Sequence, residues 1–251
     1  MNRRMAAASA AVSRGRDTIH LTTDVDVSVP RRLIAEHGAR TGEHLSFTAY
    51  LVGCLARTVR EHPEVNSLIT FGRLVTLSEV TVSVLVERAV SGELVPEPVA
   101  IRAADTRSVA EISDLIRRAQ SAGDERLGGL SGATWVRFVP SVLFRAMIRM
   151  MSRSVRVSRR YGVVAVTSVG MFADGPVWLI PLSAATVTLA VGGIARRPVV
   201  VNGEIQDREH VSLTVSFDHD IVDGAPAARF VGRLRELVAG SEVLGAGGSG
   251  G

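Results

Sequence analysis

Lysine is absent from this chain. All 29 basic residues of the 251 are arginine, which removes the usual attachment point for lipoyl and biotin and the Schiff-base partner of pyridoxal phosphate. A P-loop, which needs its lysine, is excluded on the same ground. Cysteine occurs once, as Cys54, so no internal disulfide forms and the chain suits a reducing compartment, the cytoplasm. Cys54 lies in the apolar helical stretch "FTAYLVGCLARTV" and reads as a buried structural thiol. Aromatic residues are scarce, at 4%, and the basic stretches lack the interleaved aromatics that stack on bases, so no nucleic-acid partner is expected. No apolar run approaches the roughly 18 residues that span a bilayer. The opening "MNRRMAAASAAVSRGRD" has no hydrophobic stretch of a secretory signal, and no membrane partner is expected.

What is present suffices for one core. A hydrophobic content of 46% can fill a sizeable interior, and a net charge of +4 spread among interspersed acids is modest. The segment Phe144 to Arg160 is the exception, with six arginines. Its Leu143, Met147, Met150 and Met151 stand at helical spacing opposite Arg145 and Arg149, an amphipathic helix packed on protein with its arginines in water. Along the chain, "TIHLTTDVDVSV" alternates as a strand, and "LSFTAYLVGCLARTVREHPEV" reads as a long helix stopped by Pro63. "LVTLSEVTVSVLVERAV" reads as one or two strands, and "SVAEISDLIRRAQSA" opens on a capping box of Ser108 and Glu111. "GVVAVTSVGMF" and "AATVTLAVGGI" are short apolar strands, and "VVVNGEIQ" carries an Asn-Gly hairpin turn. Strands and helices mix without regular βαβ alternation or a glycine-rich phosphate loop, which predicts a two-layer α/β sandwich rather than a dinucleotide-binding fold. The domain spans 1–244, with an extra basic amphipathic segment at about 130–160, and 245–251 is a flexible Gly/Ser tail in composition.

Chemistry concentrates in "VSLTVSFDHDIVDGAPAARFVGRL", Val211 to Leu234. Val211, Leu213, Val215 and Phe217 alternate with Ser212, Thr214 and Ser216, a strand with one buried face. Ala227, Phe230, Val231, Leu234 and Val238 then recur at three to four, the period of a helix facing a core. Asp218, His219, Asp220 and Asp223 crowd into the short hinge between them, closed by Gly224. No metal is expected, since three or four ligands are needed and His210, at the other end of the strand, is too far away. A serine hydrolase lacks its G-x-S-x-G elbow. General base is the remaining chemical role for His219: an imidazole titrating near pH 6.5 can take the proton of a thiol titrating near 8.5.

"FDHDIVDGAPAARFVGRLREL" resembles the H-x-x-x-D-G signature of the dihydrolipoyl acyltransferases, the catalytic cores of 2-oxoacid dehydrogenase complexes, whose signature and fold chloramphenicol acetyltransferase shares. "VTSVGMF" is similar to the family's hydroxyl-bearing strand, with Thr167 standing 52 positions before His219, and "RRMAAASAAVSRGRDTIHLTTDVDVS" is similar to its opening arm and first strand. About four fifths of the chain is covered.

The resemblance implies a chloramphenicol acetyltransferase-like sandwich that acts as a coenzyme A-dependent acyltransferase. An acyl group would move between a thioester, lipoyl or acyl-coenzyme A, and a thiol. It assigns His219 as base, Thr167 as the hydroxyl donating to the oxyanion, Asp223 as an ordering acid, Gly224 as the turn glycine and Arg3 as the amino-terminal arginine that orders the site. It implies a homotrimer with sites between subunits, acyl-coenzyme A as partner and a lipoyl group borne by another protein. A hydroxyl or amine acceptor, or a non-catalytic oligomeric scaffold, are the alternatives. The sequence departs from the family's pattern in three places. Asp220 stands where an arginine is common, and Val169 and the stretch Leu182 to Ala185 replace asparagine and Asn-Pro-Pro. The third is a longer segment between Leu127 and Tyr161.

Overall fold

The computed structural model describes residues 16–90, 93–121, 143, 150, 154–170, 175–182 and 184–245. In chain order the elements are β1 (Thr18–Asp26), α1 (Ser28–Thr41), α2 (Phe47–Glu61), a 3₁₀ turn (Pro63–Val65), β2 (Ser67–Thr70), β3 (Arg73–Thr76), β4 (Val82–Val90) and β5 (Glu93–Ile101). They continue with α3 (Val109–Ser121), α4 (Val155–Tyr161), β6 (Val164–Ser168), β7 (Val187–Val201), β8 (Glu204–Asp218), α5 (Gly224–Ala239) and α6 (Glu242–Gly245). Six strands form one mixed sheet in the order β1-β8-β7-β6-β4-β5, with β6 parallel to both neighbours and the other pairs antiparallel. β2 and β3 make a separate hairpin.

The period-two pattern of each strand becomes two chemically distinct faces. Ile19, Phe217, Val187, Val164, Val82 and Ile101 stand in register across all six strands, and Leu21, Val215, Leu189, Val166, Val84 and Val99 form the next such row. These rows face the helices: the Phe217 ring meets Phe230 of α5 edge-on at 5.4 Å. The opposite face carries the rows His20, Ser216, Thr188, Ala165, Ser83 and Ala100, and Thr22, Thr214, Ala190 and Thr167. It is small and hydroxylic, as the serines and threonines of the sequence require. Ser212, Thr214, Ser216 and Thr188 on it are nonetheless buried.

Several local expectations hold. Pro63 follows the end of α2, and Ser108 and Glu111 cap α3 reciprocally: the Ser108 N–H donates to the Glu111 carboxylate at 2.8 Å, and the Glu111 N–H donates to the Ser108 hydroxyl at 3.2 Å. Asn202 and Gly203 turn the β7–β8 hairpin at positive φ. That hairpin is far longer than the apolar runs suggested, fifteen residues on each side. Between Val191 and Ile194 the ladder slips at Gly192 and Gly193, where a Cβ would collide with the carbonyls of Val177 and Gly175. Two glycines therefore let the chain that leaves β6 lie back against β7. α1 and β5 carry no readable signal: α1 buries only Pro30 and so has no apolar stripe, and β5 contains Pro96 and Pro98. β5 is an edge strand, where proline costs no ladder bond. Of the basic segment, α4 is described, with Ser158 buried and Arg156, Arg159 and Arg160 exposed. Its remainder, Leu143, Met150 and Ser154 apart, lies outside the described residues, as do Arg3 and positions 246–251. Among the described residues no helix is long and apolar enough to cross a membrane.

The helical layer is braced from α2. The buried Tyr50 hydroxyl reaches the last carbonyls of α5, Leu237 at 2.9 Å and Val238 at 3.0 Å, supplying a donor that a helix end lacks. Tyr50→Phe is expected to destabilise the fold by about 1–2 kcal/mol, because those carbonyls stay buried without the hydroxyl, and equilibrium denaturation would measure it. Cys54 is fully buried one turn further on, and burial pushes its thiol up to about 12, so it is a structural thiol and no nucleophile at neutral pH. Val243 of α6 packs onto Gly53 of α2, where a Cβ would come within 3.0 Å of its side chain. This apolar residue is thus engaged within its own subunit.

Candidate active site

β8 ends at Asp218 and α5 begins at Gly224, so the hinge lies where the change of period placed it. Every backbone N–H from 218 to 222 has an acceptor. The Asp218 N–H donates to the Thr186 carbonyl at 2.9 Å, and the His219 N–H donates to the Asp17 carbonyl at 2.8 Å. The Asp220 N–H donates to the Asp218 carboxylate at 3.3 Å, and both the Ile221 and Val222 N–H groups donate to the Asp218 carbonyl at 3.0 Å. A rigid turn thus presents an exposed imidazole: His219, Asp220 and Asp223 are all solvent-facing, with no side-chain partner among the described residues.

Asp223 is the N-cap position of α5 and its carboxylate makes no capping bond, which leaves it free to act on a group outside the turn. Gly224 has a negative φ, and a Cβ there would meet nothing within 4 Å. The turn within one chain therefore does not need glycine at 224, contrary to the role expected from the sequence. The open space in front of Gly224 leaves room for a closely approaching ligand or neighbour.

Asp218 is the buried member of the cluster, 5% exposed. Burial raises its carboxyl above the ordinary range, and the nearby Arg16 guanidinium pulls the other way. Arg16 donates to the Asp218 carboxylate at 2.5 Å. This contact joins residues 202 positions apart and left no trace in the sequence pattern. Arg3, expected to order the site with Asp223, lies outside the described residues; among those described, Arg16 stands at the hinge, on Asp218.

Thr167 is half-buried on β6, on the hydroxylic face of the sheet, in register with Ala190 of β7 and through it with Thr214 of β8. Thr214 Oγ1 and Thr188 Oγ1, buried on the same face, have no hydrogen-bond partner among the described residues. Two strand spacings across and five residues along separate Thr167 from His219, roughly 20 Å at ordinary sheet dimensions. A base and an oxyanion donor must both lie about 3 Å from the reacting atoms. One chain does not bring these two together. Nor do two cavities elsewhere: one of about 300 Å³ between α3 and β4 and one of about 720 Å³ between α1 and α6 are lined by neither residue. Among the described residues no group of three His, Cys, Asp or Glu side chains is placed to hold a metal.

The model of the 2-oxoacid dehydrogenases acyltransferase catalytic domain matches residues 1–131 and 160–245. The chain belongs to this acyltransferase family. The unmatched residues 132–159 fall within the longer stretch noted between Leu127 and Tyr161, including most of the basic segment. Among curated relatives, the dihydrolipoyllysine-residue acetyltransferase component of the pyruvate dehydrogenase complex of Mycoplasma capricolum subsp. capricolum is 26% identical over 85% of this chain and 42% of its own length. The chain spans about half the length of the curated relatives it matches. Among solved structures, a probable dihydrolipoamide acetyltransferase from Listeria monocytogenes superposes with a TM-score of 0.69 at 19% identity, covering 99% of this chain and 94% of that one. The dihydrolipoamide acetyltransferase of Azotobacter vinelandii superposes with a TM-score of 0.68 at 20% identity, covering 97% and 91%. In that protein a serine, a histidine 52 positions later and an asparagine four positions further on have been investigated for their role in catalysis. The α/β fold expected from the sequence is that of these acyltransferase cores.

Proposed function

We propose that this acyltransferase-family chain moves an acyl group between a thioester, lipoyl or acyl-coenzyme A, and a thiol, with His219 as general base, in a site completed by a second copy of the chain. The observation that carries this reading is a spacing joined to a separation. Thr167, His219 and Asp223 stand 52 and 4 positions apart, as do the three residues studied in the Azotobacter vinelandii enzyme, yet Thr167 and His219 lie roughly 20 Å apart in one subunit at ordinary sheet dimensions. A neighbouring subunit that lays its hydroxylic face against the exposed His219 would close that gap. The open side of Gly224 and the Asp223 carboxylate, without a partner among the described residues, support an approach from that direction. A closed ring, a homotrimer, is the arrangement proposed.

The chemistry follows from the groups. The His219 imidazole takes the proton of the attacking thiol, and the thiolate adds to the thioester carbonyl carbon. The carbonyl π electrons move to oxygen, and the Thr167 O–H donates a hydrogen bond to that oxyanion. Collapse re-forms the carbonyl and breaks the original C–S bond, and the imidazolium returns its proton to the departing thiolate. Asp223 would order the site, its carboxylate making no capping bond at the helix start. Coenzyme A enters as a substrate. Lipoyl, when it is the donor, must be borne elsewhere, because this sequence contains no lysine. A single buried cysteine suits a reducing, cytoplasmic setting.

The test is product analysis. Incubating the protein with an acyl-coenzyme A panel and dihydrolipoamide is expected to yield S-acyl dihydrolipoamide and free coenzyme A by mass spectrometry. Transfer only to hydroxyl or amine acceptors would replace the thiol reading, and no transfer to any acceptor would leave an oligomeric scaffold. A stable, fully active monomer in mass photometry would remove the shared site.

A further inference from the structure

Asp218 poses a problem that the proposed reaction does not solve. A carboxylate 5% exposed at the end of a strand is costly unless paired, and Asp218 adjoins the catalytic base without being part of the chemistry. Its position explains the arrangement. Thr18 of β1 pairs in register with Asp218, so the two residues leading into β1 continue alongside the hinge. Asp17 holds the His219 backbone N–H through its carbonyl at 2.8 Å, and Arg16 holds the Asp218 carboxylate. One dipeptide thereby grips another. The second Asp218 carboxylate oxygen accepts the Asp220 N–H, and the Asp218 carbonyl accepts those of Ile221 and Val222.

We propose that Arg16 is a positioning residue for the acyl-transfer reaction: through its ion pair with Asp218 it fixes the turn from which the His219 imidazole projects. The inference rests on His219 being the base. His219 has no side-chain partner among the described residues to hold its ring, so its aim depends on the backbone beneath it, and that backbone hangs from Asp218 and Asp17. Without Arg16 the carboxylate is buried with no other cationic partner among the described residues. It then takes up a proton or turns toward water, and in either case its hold on the Asp220 N–H weakens. Misplacing a catalytic group by about 1 Å can cost on the order of 100-fold in rate.

Among the described residues the groups facing Asp218 are Arg16 from the β1 lead-in and Asp220 from the turn itself. Arg16 favours the charged form while Asp220 and burial oppose it, so removing Arg16 moves proton uptake by Asp218 to higher pH.

The experiment compares steady-state kinetics of the intact protein with Arg16→Gln, Arg16→Lys and Arg16→Gln/Asp218→Asn, using acyl-coenzyme A and dihydrolipoamide. Arg16→Gln is expected to lower kcat by about 10–100-fold with KM for coenzyme A changed by less than about twofold, the signature of lost alignment rather than lost binding. The acid limb of its kcat profile is expected to move to higher pH. Adding Asp218→Asn removes the titrating carboxyl and should return the limb to its original position. Arg16→Lys keeps the charge but loses the planar fork, so it should lose less rate with an unshifted limb. This variant also keeps the question open to measurement if Arg16→Gln assembles poorly. An Arg16→Gln protein of unchanged assembly that keeps its kcat and pH profile would overturn the assignment. So would a loss of kcat whose acid limb does not move and which Asp218→Asn leaves as it is. His219→Ala measured alongside separates the two claims: full activity there would refute the base, not the ion pair.

Discussion

Replacing His219 by alanine is expected to lower kcat by on the order of 10²–10⁴ with little change in KM for coenzyme A. At neutral pH a thiol is only a few per cent thiolate, so most encounters with a thioester are unproductive unless a base takes the proton during attack. His219 is presented in a form suited to that proposed task. The imidazole is exposed, while the turn under it has every N–H from 218 to 222 committed. Exposure lets a thiol from a second molecule reach it, and the fixed turn limits the orientations it must search. Because His219 is exposed and its ring makes no hydrogen bond or ring contact among the described residues, its removal should leave little cavity, and thermal stability should stay near that of the parent protein. That separation makes kcat informative. A His219→Ala protein that melts at the same temperature and keeps its full rate would eliminate His219 as the base, and a loss confined to KM would recast it as a binding residue.

The hinge was legible because its two flanks have different periods. Val211 to Phe217 alternate, Ala227 to Val238 recur at helical spacing, and the structure changes from strand to helix between Asp218 and Gly224. Periodicity also gave the capping box of α3 and the turn at Asn202 and Gly203. It failed where local pattern carries little. α1 buries only Pro30, so no stripe of apolar residues marks it, and the prolines of β5 read as interruptions although an edge strand accommodates them. Long-range pairing was wholly invisible. Arg16 meets Asp218 across 202 positions, and nothing in either residue's neighbourhood distinguishes that arginine from Arg3, Arg4 or Arg14. The role of Gly224 was misread for a related reason: a glycine after a charged turn suggests a backbone requirement, whereas its φ is ordinary and its Cβ position is empty. Thr167 was placed by resemblance alone. The strand pattern around it shows which face it occupies, but not what lies opposite.

What lies opposite Thr167 decides the second large effect. Thr167→Val keeps the β-branched shape that suits strand β6 and removes only the hydroxyl. If that hydroxyl donates to the oxyanion, the rate should fall by on the order of 10²–10³, because the donor is needed most when negative charge develops on the carbonyl oxygen. The same substitution at a merely structural threonine would leave kcat intact. Within one subunit the hydroxyl is roughly 20 Å from His219 at ordinary sheet dimensions, far beyond any shared contact with a reacting carbonyl, so the two residues should act from different copies. Co-expressing His219→Ala and Thr167→Val chains tests this without further structural work. In randomly mixed closed rings of equal composition, about a quarter of the interfaces unite an intact histidine from one copy with an intact threonine from its neighbour. Each parent assembly has no such interface, so the mixture should recover activity well above the mean of the two parents, approaching about a quarter of the unsubstituted rate. Recovery depends on subunits mixing, which native mass spectrometry of the assemblies would establish beforehand. Mixed rings no more active than the average of their parents would mean that both residues serve one subunit's site, or that one of them serves none.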